Sequence, residues 1–134
     1  MTPTQKLKRE IILKCRSWSG DAASGEFVPI TDENVEALYN AAGDDFPNCF
    51  YDAREEIRGG GERSGISKPN YSRHYESDEV ALRCCDETWI GWTYWHGGGK
   101  HGEPSAVPWM EEAYDVVCTV ETRPVNIFSL PKKD

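Results

Sequence analysis

Absences set the first limits on this chain. It lacks the apolar run of about 18 residues or more that a spanning helix requires, so no membrane segment is expected. The first residues, MTPTQKLKREIILKC, carry basic groups but only the short apolar run Ile11-Ile12-Leu13 and no small-residue cleavage site, so no secretion signal is expected. Among Cys15, Cys49, Cys84, Cys85 and Cys118 there is no CxxC spacing, and their number is odd. Without a secretion signal, they read as reduced thiols of an intracellular protein, several of them buried. The phosphate-binding pattern GxxxxGK[ST] is missing, as are internal repeats and low-complexity tracts.

Positive charge is also scarce, with a net charge of −8. Residues 1–20 hold five basic groups against Glu10, whereas residues 21–62 hold eleven acids against Arg54 and Arg58. Affinity for duplex nucleic acid comes from neutralising phosphates, so direct binding to it is not expected. A protein with a basic, nucleic-acid-binding surface is the better electrostatic match. The competing role of the acids is plain solubility.

What is present is one domain's length of chain, 134 residues, with 11% aromatic residues to compensate for a modest 38% hydrophobic content. The whole of 1–134 reads as a single domain. Residues 7–18 fit two patterns. Leu7, Ile11 and Cys15 stand at helical spacing, but the β-branched run at Ile11-Ile12 followed by Ser19-Gly20 favours a strand. Phe27 to Ile30 reads as an extended lead-in. A helix is predicted from Thr31, which can cap it, to Gly43, with Val35, Leu38, Tyr39 and Ala42 as its apolar stripe. A second, shorter helix spans Cys49 to Arg58, with Phe50, Ala53 and Ile57 facing inward. Gly59 to Tyr71 reads as a flexible loop.

Strands follow at Glu79–Cys85 and at Trp89–His96, turned by Asp86-Glu87. A helical turn is expected between Val107 and Tyr114. Val116–Glu121 alternates as a strand, and Val125–Leu130 can add an edge segment beyond Arg123-Pro124. The expected fold is α+β: a three- to four-stranded antiparallel sheet with two or three helices packed on one face.

Chemistry concentrates around Thr88–Pro108. Three consecutive glycines, Gly97-Gly98-Gly99, break the strand and call for positive φ or close backbone approach. His96 and His101 flank that break at a spacing zinc sites use, and Cys84 or Cys85 on the preceding strand is the candidate thiolate; zinc at His96, His101 and Cys84 is therefore one reading. The same side chains supply the types needed for nucleophilic catalysis, so a small enzyme or metalloprotein is the alternative function. Lys100 after the glycines suggests an anion nest, although no helix signal follows it. Against each stands an ordinary role as strand end, loop or core residue.

Recognition through aromatics is the favoured reading. Trp92, Tyr94, Trp95 and Trp109 offer rigid contact area, Lys100 lies among them, and Asp44, Asp45, Glu55 and Glu56 supply acidic steering. The opposing role of these tryptophans is core packing, which should claim several.

The segment GWTYWHGGGKHGEPSAVPWMEEAYDVVC, Gly91 to Cys118, resembles small uncharacterised proteins encoded by bacteriophages and prophages. That resemblance covers the C-terminal half, implies a mobile-element origin and carries no catalytic residue across. Small acidic phage products include host-takeover and anti-defence factors, which bind and block host machinery. The expectation is therefore a non-enzymatic inhibitor of a host protein, cytoplasmic in a bacterial host, without cofactor and acting as a monomer or homodimer.

Overall fold

The computed structural model describes residues 1–19, 27–68, 72, 75–99, 102–122 and 124–131. Among these residues the fold is α+β: three α-helices, a short 3-10 turn at Pro104–Ala106 and a four-stranded antiparallel sheet. Helix α1 spans Pro3–Ser19, α2 Val35–Asp45 and α3 Phe50–Gly59; strand β1 is Glu62–Arg63, β2 Glu76–Arg83, β3 Trp89–His96 and β4 Tyr114–Val116. The strands lie in sequence order, β1-β2-β3-β4. None of the described helices is long and apolar enough to cross a membrane.

The strand expected over residues 7–18 is a helix, and the reason lies at its start. The Thr2 amide donates to Gln5 Oε1 at 2.9 Å, and the Gln5 amide donates to Thr2 Oγ1 at 3.2 Å. That reciprocal pair is a capping box, and Pro3 at the first helical position is preset for the turn. Once started, the helix places Leu7, Ile11, Ile12 and Cys15 on one stripe, each no more than 1% exposed. Tertiary burial outweighs the β preference of Ile11 and Ile12, which is worth well under about 1 kcal/mol per residue. Ser19 closes the last turn by donating to the Cys15 carbonyl at 2.8 Å.

The helix predicted from Thr31 to Gly43 is α2, Val35–Asp45, whose N-cap is Asn34, and Thr31 closes the turn before it. Its Oγ1 accepts from the Asn34 amide at 3.3 Å while Asn34 Oδ1 accepts from the Thr31 amide at 2.7 Å, and this turn delivers the chain into α2. On α3 the residues predicted inward, Phe50, Ala53 and Ile57, are all buried.

Strands β2 and β3 pair along their whole length, from Glu76 opposite His96 to Arg83 opposite Trp89. Alternation puts Val80, Leu82, Ile90 and Trp92 on the face that meets the helices, where they join Leu7, Ile11, Cys15, Ala42, Phe50, Ala53, Ile57, Trp109 and Met110 in the core. Trp109 reaches this core from the segment between β3 and β4 and meets Trp92 at 5.6 Å between ring centroids.

Two expected segments differ. The loop predicted over 59–71 contains β1, whose Glu62 and Arg63 pair with Ala81 and Val80. The predicted strand at Val116–Glu121 is paired only through β4, which ends at Val116, and the segment 125–130 forms no strand. The fourth strand thus comes from the other edge of the sheet. The turn between β2 and β3 falls where expected, with Glu87 at φ 70°.

Candidate functional site

Gly97, Gly98 and Gly99 all have positive φ, at 78°, 86° and 52°, which is the conformational reason that run required. Lys100 and His101, which follow, lie outside the described residues. His96 sits at the end of β3, where its Nε2 is 2.9 Å from Asp78 Oδ2 and its Nδ1 is 3.7 Å from Glu76 Oε2. The three residues share one face because Glu76 and Asp78 stand two apart on β2, opposite His96 and Tyr94. Arg63 from β1 approaches Asp78 at 3.5 Å, and the Tyr94 ring stacks on His96 at 5.4 Å. Arg63, Asp78, Tyr94 and His96, together with Gly59, Gly61 and Val80, line an open cleft of about 250 Å³.

The structure separates Cys84 from this cleft. Cys84 adjoins the β2–β3 turn, where its amide donates to the Thr88 carbonyl, whereas His96 ends β3 eight residues further on. At about 3.4 Å per residue the two are roughly 25 Å apart. Hairpin partners are close only at matching register, so the expected Cys84–His96 pairing does not form. Cys85 shares the turn with Cys84 and is exposed. Among the described residues no three His, Cys, Asp or Glu side chains converge as metal ligands.

Most of the aromatic candidates are inside. Trp92 and Trp109 are 0% and 1% exposed, and Trp95 is 7% exposed. Tyr94 is half-buried beneath Arg58, whose guanidinium carbon lies 4.8 Å from its ring centre. Arg58 ties α3 to the sheet twice more: its side chain donates to the Trp95 carbonyl, and its own carbonyl accepts from Trp92 Nε1 at 3.1 Å. Trp92 and Trp109 therefore fix the helix–sheet junction, Trp95 is buried on the opposite face of the sheet, and all three offer little surface to a partner.

The acidic candidates lie outside. Asp44 and Asp45 end α2, Glu55 and Glu56 project from α3, and all four are exposed. Glu55 meets Arg58 at 3.5 Å, while Asp44, Asp45 and Glu56 have no ion pair among the described residues. The basic N-terminal segment is used inside the fold. Lys8 pairs with Glu36 at 2.6 Å, Arg9 with Asp86 at 3.3 Å, Lys6 with Asp115 at 3.7 Å, and the terminal ammonium with Asp32 at 3.3 Å. The positive charge of residues 1–20 thus compensates acids around α1, and the outer sides of α2 and α3 stay negative.

One aromatic does stand in that acidic field, and sequence reasoning passed it over. Tyr51, on α3, is 72% exposed, with its ring edge against Phe50 at 5.4 Å. Its neighbours Asp52, Glu55 and Glu56 are exposed as well. The signal was available: with Phe50, Ala53 and Ile57 inward at helical spacing, Tyr51 has to face out.

The other face of the sheet holds a buried polar group. Glu79 accepts from Tyr114 Oη at 2.7 Å and from Thr93 Oγ1 at 2.8 Å. Burial, then the bond to Glu79, raises the Tyr114 phenol well above its usual range. The Lys68 ammonium stands 3.7 Å from the centre of the Tyr114 ring. This arrangement fixes β4 on the sheet, and Glu79 and Lys68 also line an open cleft of about 380 Å³ with Arg63, Ile66, Ser77 and Asp78.

The chain matches no protein-family model, no curated protein and no solved structure.

Proposed function

We propose that this chain is a non-enzymatic binding protein that engages a basic protein surface through the outer side of α2 and α3. The observation that carries this reading is Tyr51, 72% exposed within the carboxylates Asp52, Glu55 and Glu56, with Asp44 and Asp45 on the neighbouring helix. Carboxylates steer the approach of a basic partner, and an aromatic ring provides the contact that desolvates well. The resemblance of Gly91–Cys118 to phage-encoded proteins supports a bacterial cytoplasmic setting and a host nucleic-acid-binding protein as target, blocked by occupation of its basic groove. Affinity capture from bacterial lysate tests this with wild type beside Tyr51→Ala and the double reversal Glu55→Lys, Glu56→Lys. All three are to fold alike, since these side chains are exposed. A partner retained by wild type should be lost by the double reversal, weakened about tenfold or more by Tyr51→Ala, and released as salt rises. Capture that is indifferent to all three changes would refute the assignment.

A second reading, acid–base or metal chemistry at His96, is favoured by the 2.9 Å contact that holds its imidazole against Asp78 in an open cleft. A carboxylate in that position fixes the tautomer and orientation of a histidine base or ligand. Native mass spectrometry before and after chelator separates the two readings. A zinc-sized increment lost to chelator, and absent from His96→Ala, would favour the second; the bare mass is the outcome expected of the first.

A further inference from the structure

All five cysteines of the chain are free, and their surroundings differ. Cys84 is buried and Cys85 exposed at the β2–β3 turn, where Arg9, Glu10 and Asp86 are their neighbours. Cys118 is exposed beyond β4. Cys15 and Cys49 stand apart from these three, because their thiols meet. The Cys15 S–H donates to the Cys49 sulfur.

Two helices bring them together. On α1, Cys15 follows Ile11 by one turn and lies in the core, 0% exposed. Cys49 immediately precedes α3, and its carbonyl accepts from the Ala53 amide one turn further on. Ala53 and Cys15 belong to one apolar cluster, and Cys49 packs against that cluster from its margin. Cys49 is only partly buried, so one sulfur of the pair borders solvent and the other does not. Cys49 is also the N-cap of α3, with φ −136°, and its side chain makes no capping bond. It can therefore turn toward Cys15 without unwinding a helix, a freedom that disulfide closure to about 2.05 Å requires.

We propose that Cys15 and Cys49 are a peroxide-responsive pair, in which Cys49 meets hydrogen peroxide and Cys15 resolves it into a disulfide between α1 and the start of α3. In the first step the Cys49 thiolate attacks one peroxide oxygen. An S–O bond forms, the O–O bond breaks, and the departing hydroxide takes up the proton that Cys49 released, leaving as water. In the second step the Cys15 sulfur attacks the sulfur of the Cys49 sulfenic acid. The S–S bond forms, the S–O bond breaks, and the departing hydroxide takes the Cys15 proton as a second water. Two thiols are oxidised by two electrons in all, and one hydrogen peroxide is reduced to two waters. Burial sets this order, because it pushes the Cys15 thiol up to about 11 and keeps it from reacting first. The bond closes residues 15–49, with α2 among them, into a loop, which restricts the unfolded chain more than the folded one.

Hydrogen peroxide added to the reduced full chain, at low micromolar protein, tests the pair. After the remaining thiols are alkylated in denaturant, peptide mapping should find Cys15 joined to Cys49. The thermal midpoint should rise by about 5–15 °C and return when dithiothreitol is added. Cys49→Ser should show no such rise, whereas Cys85→Ser should respond as wild type does. Peroxide that carries Cys49 to the sulfinic acid while Cys15 stays alkylatable overturns the proposal, since the two sulfurs then do not close. Thiols that all remain alkylatable, or a disulfide made through Cys85 or Cys118, overturn it equally. The mapping is made on wild type, so it decides the matter even where Cys49→Ser folds poorly.

Discussion

Gly91 shows how one residue type sets the position of an element. A Cβ at this position would lie 2.6 Å from Tyr114 Cε2 and 2.9 Å from Val116 Cγ2, so the absence of a side chain lets β4 lie close on β3. That approach brings Tyr114 within reach of Glu79, and the 2.7 Å bond compensates part of the cost of burying a carboxylate. Gly91→Ala is therefore expected to destabilise the protein by about 1–3 kcal/mol, through overpacking against a ring that cannot move without breaking its bond to Glu79. Urea unfolding measures this directly. Gly91→Ala combined with Tyr114→Ala should cost less than the sum of the two single changes, because removing the ring removes the closer clash and leaves only that with Val116. Strict additivity would show that the strain lies elsewhere.

At the scale of elements, legibility followed the period of the pattern and the presence of a cap. Both central strands were readable because β-branched and aromatic residues alternate between turn signals, and α3 because Phe50, Ala53 and Ile57 repeat at helical spacing. Helix α1 was misread from its middle, where Ile11 and Ile12 suit a strand, although Thr2-Pro3-Thr4-Gln5 spells a helix start nine residues earlier. Strand β1 left no trace in composition. Two residues, Glu62 and Arg63, cannot show a period, and their strand character comes wholly from pairing with Val80 and Ala81. The reverse happened at Val116–Glu121, where good alternation goes unpaired beyond Val116. Alternation reports what a segment can do, and a partner edge decides whether it does so. Of the candidate sites, the glycine conformation and the exposed acids were legible. The separation of Cys84 from His96 was not, because it depends on β2–β3 register across the whole hairpin, and neither was the burial of Trp92 and Trp109, which depends on how α3 and the segment before β4 close over the sheet.

For the molecule as a whole, the buried thiols give the stability a pH dependence with a definite sign. Burial raises Cys15 to about 11, with the neighbouring Cys49 thiol adding to it, and burial followed by the charge of Glu10 raises Cys84 to about 11. A raised folded-state pKa means that the folded protein holds its proton while the unfolded chain has already released it. The stabilising contribution is thus complete below the ordinary thiol value of about 8.5 and is lost as pH climbs towards about 11. Each thiol contributes on the order of 2 kcal/mol over that window. Tyr114, raised by burial and by its bond to Glu79, adds a further loss above pH of about 10, where an unfolded tyrosine ionises. Asp86 works in the other direction. The Thr88 hydroxyl and amide, with Arg9, hold its carboxyl below the usual range, so its contribution is present above a pH of about 4 and fades on acidification. Thermal unfolding followed by circular dichroism should then show a midpoint that is level near neutrality and falls between pH of about 8.5 and 11. Cys15→Ala should start lower, because it leaves a small cavity, but decline less steeply with pH, and Tyr114→Phe should lose only the uppermost part of the fall. A midpoint unchanged up to pH of about 10.5 would mean that the thiols titrate alike in both states, and hence that the core around α1 admits water where its packing says it is dry.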